Sequence, residues 1–431
     1  MRCADDFRFG CIPLSPRKFV FIAVVCVIVT RMAVILATPR SADFLDPRIY
    51  QGAGQTVLAG VNPYDVAARQ SLREDLRARM AAPGTEDFTG TQQSWDYYVS
   101  GNPPASTALY ALFEAIAHGS RLVWRLLLIL GDVALLLGLI ALLRTVNGGV
   151  ESARTQLAVF CLAVVNPVLI LSGCAIPEDK QFQTALMLYT ASLLLSPAAI
   201  SARRALWSGF VFSLSIFFKL FGVFLFPLWL ARARQEGWRF ALWSGFGGLV
   251  PAAASLAAFG HYFVGAMAAR GVQNSIRGAE HASPWVLLPI GGDAYLIAKI
   301  VAVGAYCALL LRLFAKRRID VLNLCAGVNV AVVCLWLDKG AINRMNIAII
   351  FAVAALASLS RAWFVYLSVG LAAVSTVAYG VAFGALRAHP DSVDSLLVLL
   401  FVLSYLAVLV RLAVAKSGHA SRSSRGNSLP A

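Results

Sequence analysis

The sequence has little charge for its length. Of its 431 residues only 14% are charged and 59% are hydrophobic, whereas a soluble protein carries roughly 25% charged residues. Apolar runs of about 20 residues recur from one end of the chain to the other, and runs of this length match the thickness of a bilayer. The composition therefore argues against a soluble protein and predicts an all-α polytopic integral membrane protein.

Several sequence motifs are also missing. There is no Gly-rich loop ending in Lys-Ser/Thr and no Gly-x-Gly-x-x-Gly unit after a strand, which argues against an ATP-driven transporter and a soluble nucleotide-sugar enzyme. The five histidines are scattered, so we propose no Ser-His-Asp arrangement. The eight cysteines lie mostly in apolar runs, which predicts no disulfide framework. No spacing of acids and histidines favours a metal, so we expect neither a metal nor another cofactor.

The net charge of +15 has a topological explanation. Most lysines and arginines lie in short loops between apolar runs, where cytoplasmic topology signals belong. We therefore expect no nucleic-acid partner. Residues 1–18 are basic and are predicted to be a cytoplasmic N-terminus. The first apolar run, 19–37, is too long for a signal-peptide core and lacks a small-residue cleavage site, so we interpret it as a retained helix.

The segment after this helix, 39–117, is predicted to be a long first extracytoplasmic loop that carries short interfacial helices. Within it, 71–80 is predicted to be a short polar helix. Residues 105–117 are apolar but too few to span, which favours a re-entrant or interfacial helix. If 105–117 did span, Arg121 and Arg125 would become cytoplasmic, but most of the later basic clusters would turn outward. The re-entrant or interfacial interpretation therefore agrees better with the rule that basic loops face the cytoplasm.

This choice gives about twelve transmembrane helices with both termini inside. The predicted spans after the first loop are 122–143, 156–174, 181–195, the short halves 206–218 and 220–230, and then 240–259, 293–313, 321–337, 342–359, 363–383 and 396–414. Together 19–415 is predicted to be one transmembrane domain. The Ser- and Gly-containing tail 416–431 is predicted to be cytoplasmic and disordered.

Two carboxylates, Asp43 and Asp46, directly follow the first span. An acid at this position lies close to a dry interior yet remains ionised, which suits a general base acting on a membrane-bound substrate. The alternative is that they cap a helix beginning near Pro47, since Asp before Pro is a good helix-start signal. The residues alone leave both interpretations open.

Further ionisable residues are predicted to converge on the same outer face, which suggests a site for a charged substrate. They are Glu178, Asp179, Lys180, Lys219, Arg270, Arg277, His281, Lys339 and Arg344. Lys219 has apolar and aromatic neighbours on both sides, so its ammonium must reach an anion or water. A lipid phosphate is one partner, and an ion pair with Asp179 is the alternative.

Glu178 and Asp179 form an acidic pair that allows several roles. They could hold a metal, bind sugar hydroxyls or pair with Lys180. We favour hydroxyl binding or structural pairing over a metal, because the surrounding sequence shows no clustered oxygen or histidine ligands.

The first outer loop resembles that of a known enzyme family. Asp46-x-x-x-Tyr50, Leu58-Ala-Gly-Val-Asn-Pro-Tyr64 and Asn102-Pro-Pro104 are similar to motifs of the GT-C superfamily of membrane glycosyltransferases. The resemblance is to glycosyltransferase family 87, the polyprenyl-phosphate-mannose-dependent mannosyltransferases. These proteins also have an acid after the third span and a lysine in a short hairpin, where Asp179 and Lys219 stand here. The chain departs from the family at Asn102, where an aromatic residue is usual, and in a longer, more charged stretch 65–95.

The resemblance implies a GT-C-like fold and a hexosyltransferase at the extracytoplasmic face of the plasma membrane. Such an enzyme moves a sugar, mannose in that family, from a polyprenyl-phosphate donor to a glycan or glycolipid acceptor with inversion. Asp46 would be the general base and Asp43 a secondary acid. The donor phosphate would be held by Lys219, Arg270 and Arg344. The residues expected to bind substrate are Tyr50, Asn62, Tyr64, Asn102, Glu178, Asp179 and His281.

Two other functions compete with this one. A glycan polymerase or ligase would centre on Arg or His in a large later loop, and the predicted loop 261–284 is short. A transporter or flippase of a lipid-linked or sugar substrate would have two related halves with paired broken helices. The sequence shows one broken pair, around Lys219, and a long acidic outer loop, so an enzyme is favoured.

Overall fold

The computed structural model describes residues 13–37, 45–65, 102–147, 149–170, 173–174, 179–196 and 200–268, and positions 297, 300, 301 and 304. Within these ranges the chain is helical and contains no strand. The predicted polar helix 71–80, the predicted spans beyond 293 and the predicted tail lie outside the described residues. The all-helical class that the sequence predicts is confirmed for the described part.

The helices follow one another with short connections. In chain order they are α1 (Pro16–Ala37), α2 (Leu45–Leu58), α3 (Pro104–Ala117), α4 (Arg121–Asn147), α5 (Ala153–Val159), α6 (Pro167–Ile170), α7 (Lys180–Leu195), α8 (Ala202–Phe218), α9 (Phe226–Glu236) and α10 (Trp238–Phe259). A π-helix, Phe160–Val164, follows α5, and a 3₁₀-helix, Leu220–Leu225, precedes α9. Serine side chains cap two of the starts: Ser152 accepts from the Thr155 amide, and Ser201 from the Arg204 amide.

Among the described residues, three helices are long and apolar enough to cross a membrane: Pro16–Ala37, Arg121–Thr145 and Trp238–Phe259. They correspond to the predicted spans 19–37, 122–143 and 240–259. The predicted spans 181–195 and 206–218 form the shorter helices α7 and α8. Helix α3 has 14 residues and is therefore about 21 Å long at 1.5 Å per residue. That is shorter than the roughly 30 Å apolar core of a bilayer, as expected for 105–117.

Helices α8 and α10 pack with their backbones in contact. A Cβ atom added to Gly209 would lie 1.8 Å from the carbonyl oxygen of Ser244, and one added to Gly247 would lie 1.9 Å from that of Leu206. Small residues permit this approach in membrane proteins, where helix association depends on packing and interhelical hydrogen bonds. Ser213 Oγ adds such a bond, donating to the Gly248 carbonyl at 2.8 Å.

The directions of the helices follow from contacts near their ends. Helices α4 and α7 run in parallel. Gly131, in the first half of α4, lies against Phe182 near the start of α7, and Thr145 Oγ1 near the end of α4 lies 3.0 Å from Ser192 Oγ near the end of α7. The start of α8 and the end of α9 then meet, since the Ile200 amide donates to Glu236 Oε2 at 3.5 Å.

Two ends of the bundle can therefore be distinguished. Asp179 before α7 and Lys219 after α8 form an ion pair at one end, which we call the site end. Helix α10 also reaches the site end, where the Phe259 carbonyl accepts from Asn62 Nδ2 at 2.8 Å. We call the opposite end, with Ile200 and Glu236, the far end. The relative directions of α4, α7, α8, α9 and α10 are those that the sequence predicts for them.

One predicted span differs from the structure. Residues 156–174 do not form a continuous helix, because α5 widens into the π-helix and the chain is interrupted before α6. The physical reason is Pro167, which has no amide hydrogen to donate to the carbonyl of Ala163. The guanidinium of Arg31 in α1 takes the place of that donor: Nη2 donates to the Ala163 carbonyl at 2.9 Å, and Nη1 donates to the Val164 carbonyl.

Candidate active site

The site is organised around Asp179, which directly precedes α7 and is fully buried. A buried carboxylate is tolerated only when donors surround it. Oδ1 forms an ion pair with the ammonium of Lys219 and accepts from the hydroxyl of Tyr50 at 3.3 Å. Oδ2 accepts from the hydroxyl of Tyr110. Both carboxylate oxygens are therefore satisfied by charged or polar partners from α2, α3 and the end of α8.

Lys219 is held by the backbone on which it lies. Helix α8 ends at Phe218, and Lys219 is extended, with φ −153° and ψ 137°, before the 3₁₀-helix begins. This break turns the side chain back to Asp179, and Nζ also lies 5.6 Å from the ring centroid of Tyr50. The ion pair is the structural alternative that the sequence left open. The Lys219 side chain still keeps 15% of its surface exposed, whereas that of Asp179 keeps none.

Tyr50 and Tyr110 stack on one another, with ring centroids 4.6 Å apart and planes at 19°. Their helices, α2 and α3, approach closely because residue 54 is glycine. A Cβ atom there would lie 2.5 Å from the Tyr110 carbonyl oxygen. The stack places both hydroxyls on the one carboxylate of Asp179.

A second buried acid, Glu114, fixes α2, α3 and the start of α4 relative to one another. Its Oε1 accepts from Gln55 Nε2 at 2.9 Å, and its Oε2 accepts from Trp124 Nε1 at 2.6 Å. Trp124 also packs against Phe113 and Tyr110. Glu114 therefore supports the tyrosine stack without touching Asp179.

The Asn-Pro-Tyr motif ties the loop after α2 to two other elements. Asn62 Oδ1 accepts from the Tyr64 amide at 3.0 Å, a local turn that asparagine favours, and Asn62 Nδ2 donates to the Phe259 carbonyl. Tyr64 Oη donates to the carbonyl of Asn102 at 2.6 Å and lies 3.0 Å from Thr107 Oγ1. Burial raises the pKa of the Tyr64 phenol well above its ordinary value, so the hydroxyl stays protonated. These predicted substrate-binding residues therefore hold the walls of the site together.

Asp46 lies in the first turn of α2, which begins at Leu45. It precedes Tyr50 by one helical turn, about 6 Å along the axis. An acid in a first turn also interacts favourably with the helix dipole, so both interpretations of Asp46 remain. Its side chain lies outside the described part of the structure.

The remaining predicted site residues also lie outside the described residues. They are Asp43, Glu178, Arg270, His281 and Arg344. Of the twelve predicted positions, the structure therefore brings together Tyr50, Asp179 and Lys219 in direct contact, with Asn62, Tyr64 and Asn102 beside them.

Several residues at or near the site were missed by the sequence reasoning. Tyr110 lies in an apolar helix, where the pattern of core positions does not distinguish it from a packing residue. Glu114, in the same helix, is a charge in an apolar run and so carried a usable signal. Arg31 and Asp132 carried a usable signal, because each is a charge in the middle of a predicted span, and such residues mark functional or interior positions. That Arg31 and Asp132 pair with each other could not be predicted, because they lie in α1 and α4 and are about 100 residues apart in the sequence.

The arrangement can present a fixed cation and two phenols at one end of a helical bundle. Among the described residues no group of His, Cys, Asp and Glu side chains has the arrangement of a metal site.

Comparison of the chain with protein-family models and with curated proteins found no match.

Proposed function

We propose that the chain is a membrane glycosyltransferase of the GT-C type. It transfers a sugar, with mannose as the first candidate, from a polyprenyl-phosphate donor to a hydroxyl of a glycan or glycolipid. The reaction takes place at the extracytoplasmic face of the plasma membrane. One observation carries the proposal: α2 has Asp46 in its first turn, and one turn later it brings Tyr50 into contact with Asp179 and Lys219.

The chemistry needs a base and a means of stabilising the leaving group. Asp46 takes the proton from the acceptor hydroxyl, and that oxygen attacks the anomeric carbon. The bond between the anomeric carbon and the phosphate oxygen breaks, and the polyprenyl phosphate leaves with the electron pair. A single displacement inverts the anomeric centre. The phosphate leaving group is already a good one, so the reaction needs no activating cofactor.

Lys219 supplies positive charge to the leaving phosphate. An ammonium has three donors, and Asp179 takes one of them. Because the lysine side chain is partly exposed, its remaining donors are directed to the departing phosphate, where a preorganised cation stabilises developing negative charge. Asp179 then has an indirect role: together with Tyr50 and Tyr110 it holds Lys219 in place.

The experiment is sugar transfer by the purified full-length protein. The protein is incubated in lipid nanodiscs with radiolabelled polyprenyl-phosphate mannose, or with the corresponding arabinose donor, and with extracted membrane lipids and glycans. We expect label to pass to an acceptor with release of polyprenyl phosphate. Absence of transfer from every polyprenyl-phosphate sugar, with folded protein and acceptor lipids from several sources, contradicts the proposal.

A transporter is the second candidate, and the interrupted segment between α5 and α6 favours it. Transporters use discontinuous helices whose free carbonyls bind ions near the middle of the membrane. Here the carbonyls of Ala163 and Val164 are occupied by Arg31, which weakens that case. Uptake of a labelled lipid-linked sugar into proteoliposomes without any bond cleavage would support the transporter.

A further inference from the structure

A buried ion pair joins α1 to α4 away from the residues that the proposed chemistry uses. Arg31 Nε lies 3.7 Å from Asp132 Oδ2, and neither side chain has any exposed surface. Burying two charges costs more than their mutual attraction returns unless further hydrogen bonds satisfy them. A pair in this position therefore calls for an explanation beyond stability.

The other donors of Arg31 provide that explanation. They bind the carbonyls of Ala163 and Val164, in the turn where Pro167 has no amide hydrogen to donate to Ala163. The same interrupted stretch is bound a second time near its end, where Arg125 Nη2 of α4 donates to the Cys174 carbonyl at 2.7 Å. Two arginines thus hold the backbone on both sides of the break, Arg31 of α1 at Ala163 and Val164, and Arg125 of α4 at Cys174.

The stretch also packs directly onto the carboxylate that holds Arg31. A Cβ atom added to Gly173 would lie 2.5 Å from Asp132 Oδ2, so only glycine permits this contact. Shortly after Cys174 the chain reaches Asp179, the acid at the centre of the candidate site. The same Cβ atom would lie 3.2 Å from Gln181 Nε2, so Gly173 also packs against the first turn of α7, which Asp179 directly precedes. The position of Asp179 therefore depends on where Gly173 and Cys174 lie.

We propose that Arg31, held by Asp132, is a positioning residue for the Asp179–Lys219 pair. It acts through the carbonyls of Ala163 and Val164 that it binds and through Gly173, which packs between Asp132 and the start of α7. Its planar guanidinium fixes two neighbouring carbonyls at once while one further nitrogen faces the carboxylate. Lysine has the same charge but offers a single point of attachment. The effect on sugar transfer rests on the proposed function, whereas the effect on Lys219 does not.

The test measures how fast Lys219 reacts with a water-soluble amine reagent, followed by peptide mass spectrometry of the full-length protein in nanodiscs. The exposed Lys18 near the start of α1 serves as the internal reference. In Arg31→Lys the positive charge opposite Asp132 remains, but the side chain can no longer bind the carbonyls of Ala163 and Val164 at the same time. We expect Lys219 to react about tenfold faster, which corresponds to roughly 1.4 kcal/mol of lost restraint. An unchanged rate overturns the proposal.

A matched control removes a different ion pair. Glu236→Gln breaks the contact between Arg232 and Glu236 at the far end, and it should leave the reactivity of Lys219 unchanged. A rise in this variant would show that any lost ion pair loosens Lys219 and would overturn the specific role of Arg31.

A double variant separates positioning from charge balance. The double variant Arg31→Met with Asp132→Leu buries no unpaired charge. It nevertheless has no side-chain donors for the carbonyls of Ala163 and Val164. We expect Lys219 to react faster here too, and a rate equal to that of the unmodified protein overturns the proposal. Where sugar transfer is measurable, both Arg31 variants should lower kcat more than they raise KM for the donor.

The two proposals fail in different ways. If the unmodified protein transfers no sugar while Lys219 responds to Arg31→Lys as expected, the proposed function fails and the positioning role stands. If sugar transfer is present and Lys219 does not respond, the positioning role alone fails.

Discussion

The Asp179–Lys219 and Arg31–Asp132 ion pairs differ in how their acids are satisfied. The carboxylate of Asp179 accepts hydrogen bonds from Tyr50 and Tyr110 in addition to its contact with Lys219. Within the described residues, neither oxygen of Asp132 has a hydrogen-bond partner, and Arg31 directs its terminal donors to backbone carbonyls. In the first pair the acid has hydrogen-bond donors on both oxygens and the cation is partly exposed. In the second pair neither side chain has any exposed surface.

This difference separates two uses of buried charge in one bundle. A lysine that keeps some exposed surface also keeps donors for a substrate, and its acid serves to hold it. An arginine with no exposed surface can act on nothing but the protein, so its donors replace those that a broken helix lacks. Burying a charge is costly in both cases, and the surrounding contacts indicate which role each pair has.

The largest effect is expected from Lys219→Met. It leaves the charge of Asp179 buried with only neutral partners, and breaking a buried pair in this way costs about 3–5 kcal/mol. Thermal unfolding in detergent should show a clear loss of stability, and sugar transfer should disappear. Lys219→Arg is the control that keeps a cation, and it should fold normally. Stability within about 1 kcal/mol of the unmodified protein would mean that Asp179 does not depend on this lysine.

Asp132→Asn should destabilise the protein by about 3 kcal/mol, at the lower end of the cost of a broken buried pair. The cost is smaller than for Lys219→Met because Arg31 keeps its bonds to Ala163 and Val164. Adding Arg31→Met should recover part of the loss, since no unpaired charge then remains. An Asp132→Asn variant as stable as the unmodified protein would show that this pair is not a true ion pair.

The two tyrosines should differ from each other. Tyr110→Phe removes a hydrogen bond to a charged acceptor, for which losses of roughly 1.5–3 kcal/mol are typical. Tyr50→Phe should cost less, about 1 kcal/mol, because its hydroxyl lies at the long distance of 3.3 Å from Asp179. Chemical denaturation of the two single variants compares them directly. A larger loss for Tyr50→Phe would reverse our assignment of the main donor.

The smallest effect is expected at the far end. Arg232 and Glu236 form a pair on adjacent turns of α9, 2.6 Å apart, and Glu236 retains exposed surface. Exposed pairs at this spacing contribute about 0.3–0.5 kcal/mol. This pair is partly buried, but Arg232 keeps its bond to the Ser196 carbonyl at 2.9 Å, so Glu236→Gln should cost at most about 1 kcal/mol in thermal unfolding and should leave sugar transfer unchanged. A loss comparable to that of Asp132→Asn would remove the distinction between the fully buried pair and this partly exposed one.

The helices that the sequence predicts best are those set by local properties. Apolar length alone indicates α1, α4 and α10, and the break at Lys219 follows from a charge inside an apolar run. The interruption of 156–174 was missed because it depends on two residues that are far apart in the sequence. Pro167 removes one donor locally, but the arginine that makes the break tolerable is in α1 and is distant in sequence.

The candidate site shows the same limit. Lys219 could be selected because a charge next to apolar residues needs a partner, and Asp179 was the alternative partner considered for it. For Asp179 itself the partner considered was Lys180. The contribution of Tyr110 could not be selected, since a tyrosine in an apolar helix has the same pattern as a packing residue. Its role depends on Gly54, which lets α2 and α3 approach closely enough for two rings to stack.

The most direct test of the central claim is sugar transfer by Asp46→Asn compared with Asp65→Asn, a carboxylate in the segment that follows α2. The account predicts that Asp46→Asn folds and binds donor but transfers no sugar, because the acceptor hydroxyl keeps its proton, while Asp65→Asn remains active. Transfer by Asp46→Asn at the rate of the unmodified protein would contradict the account.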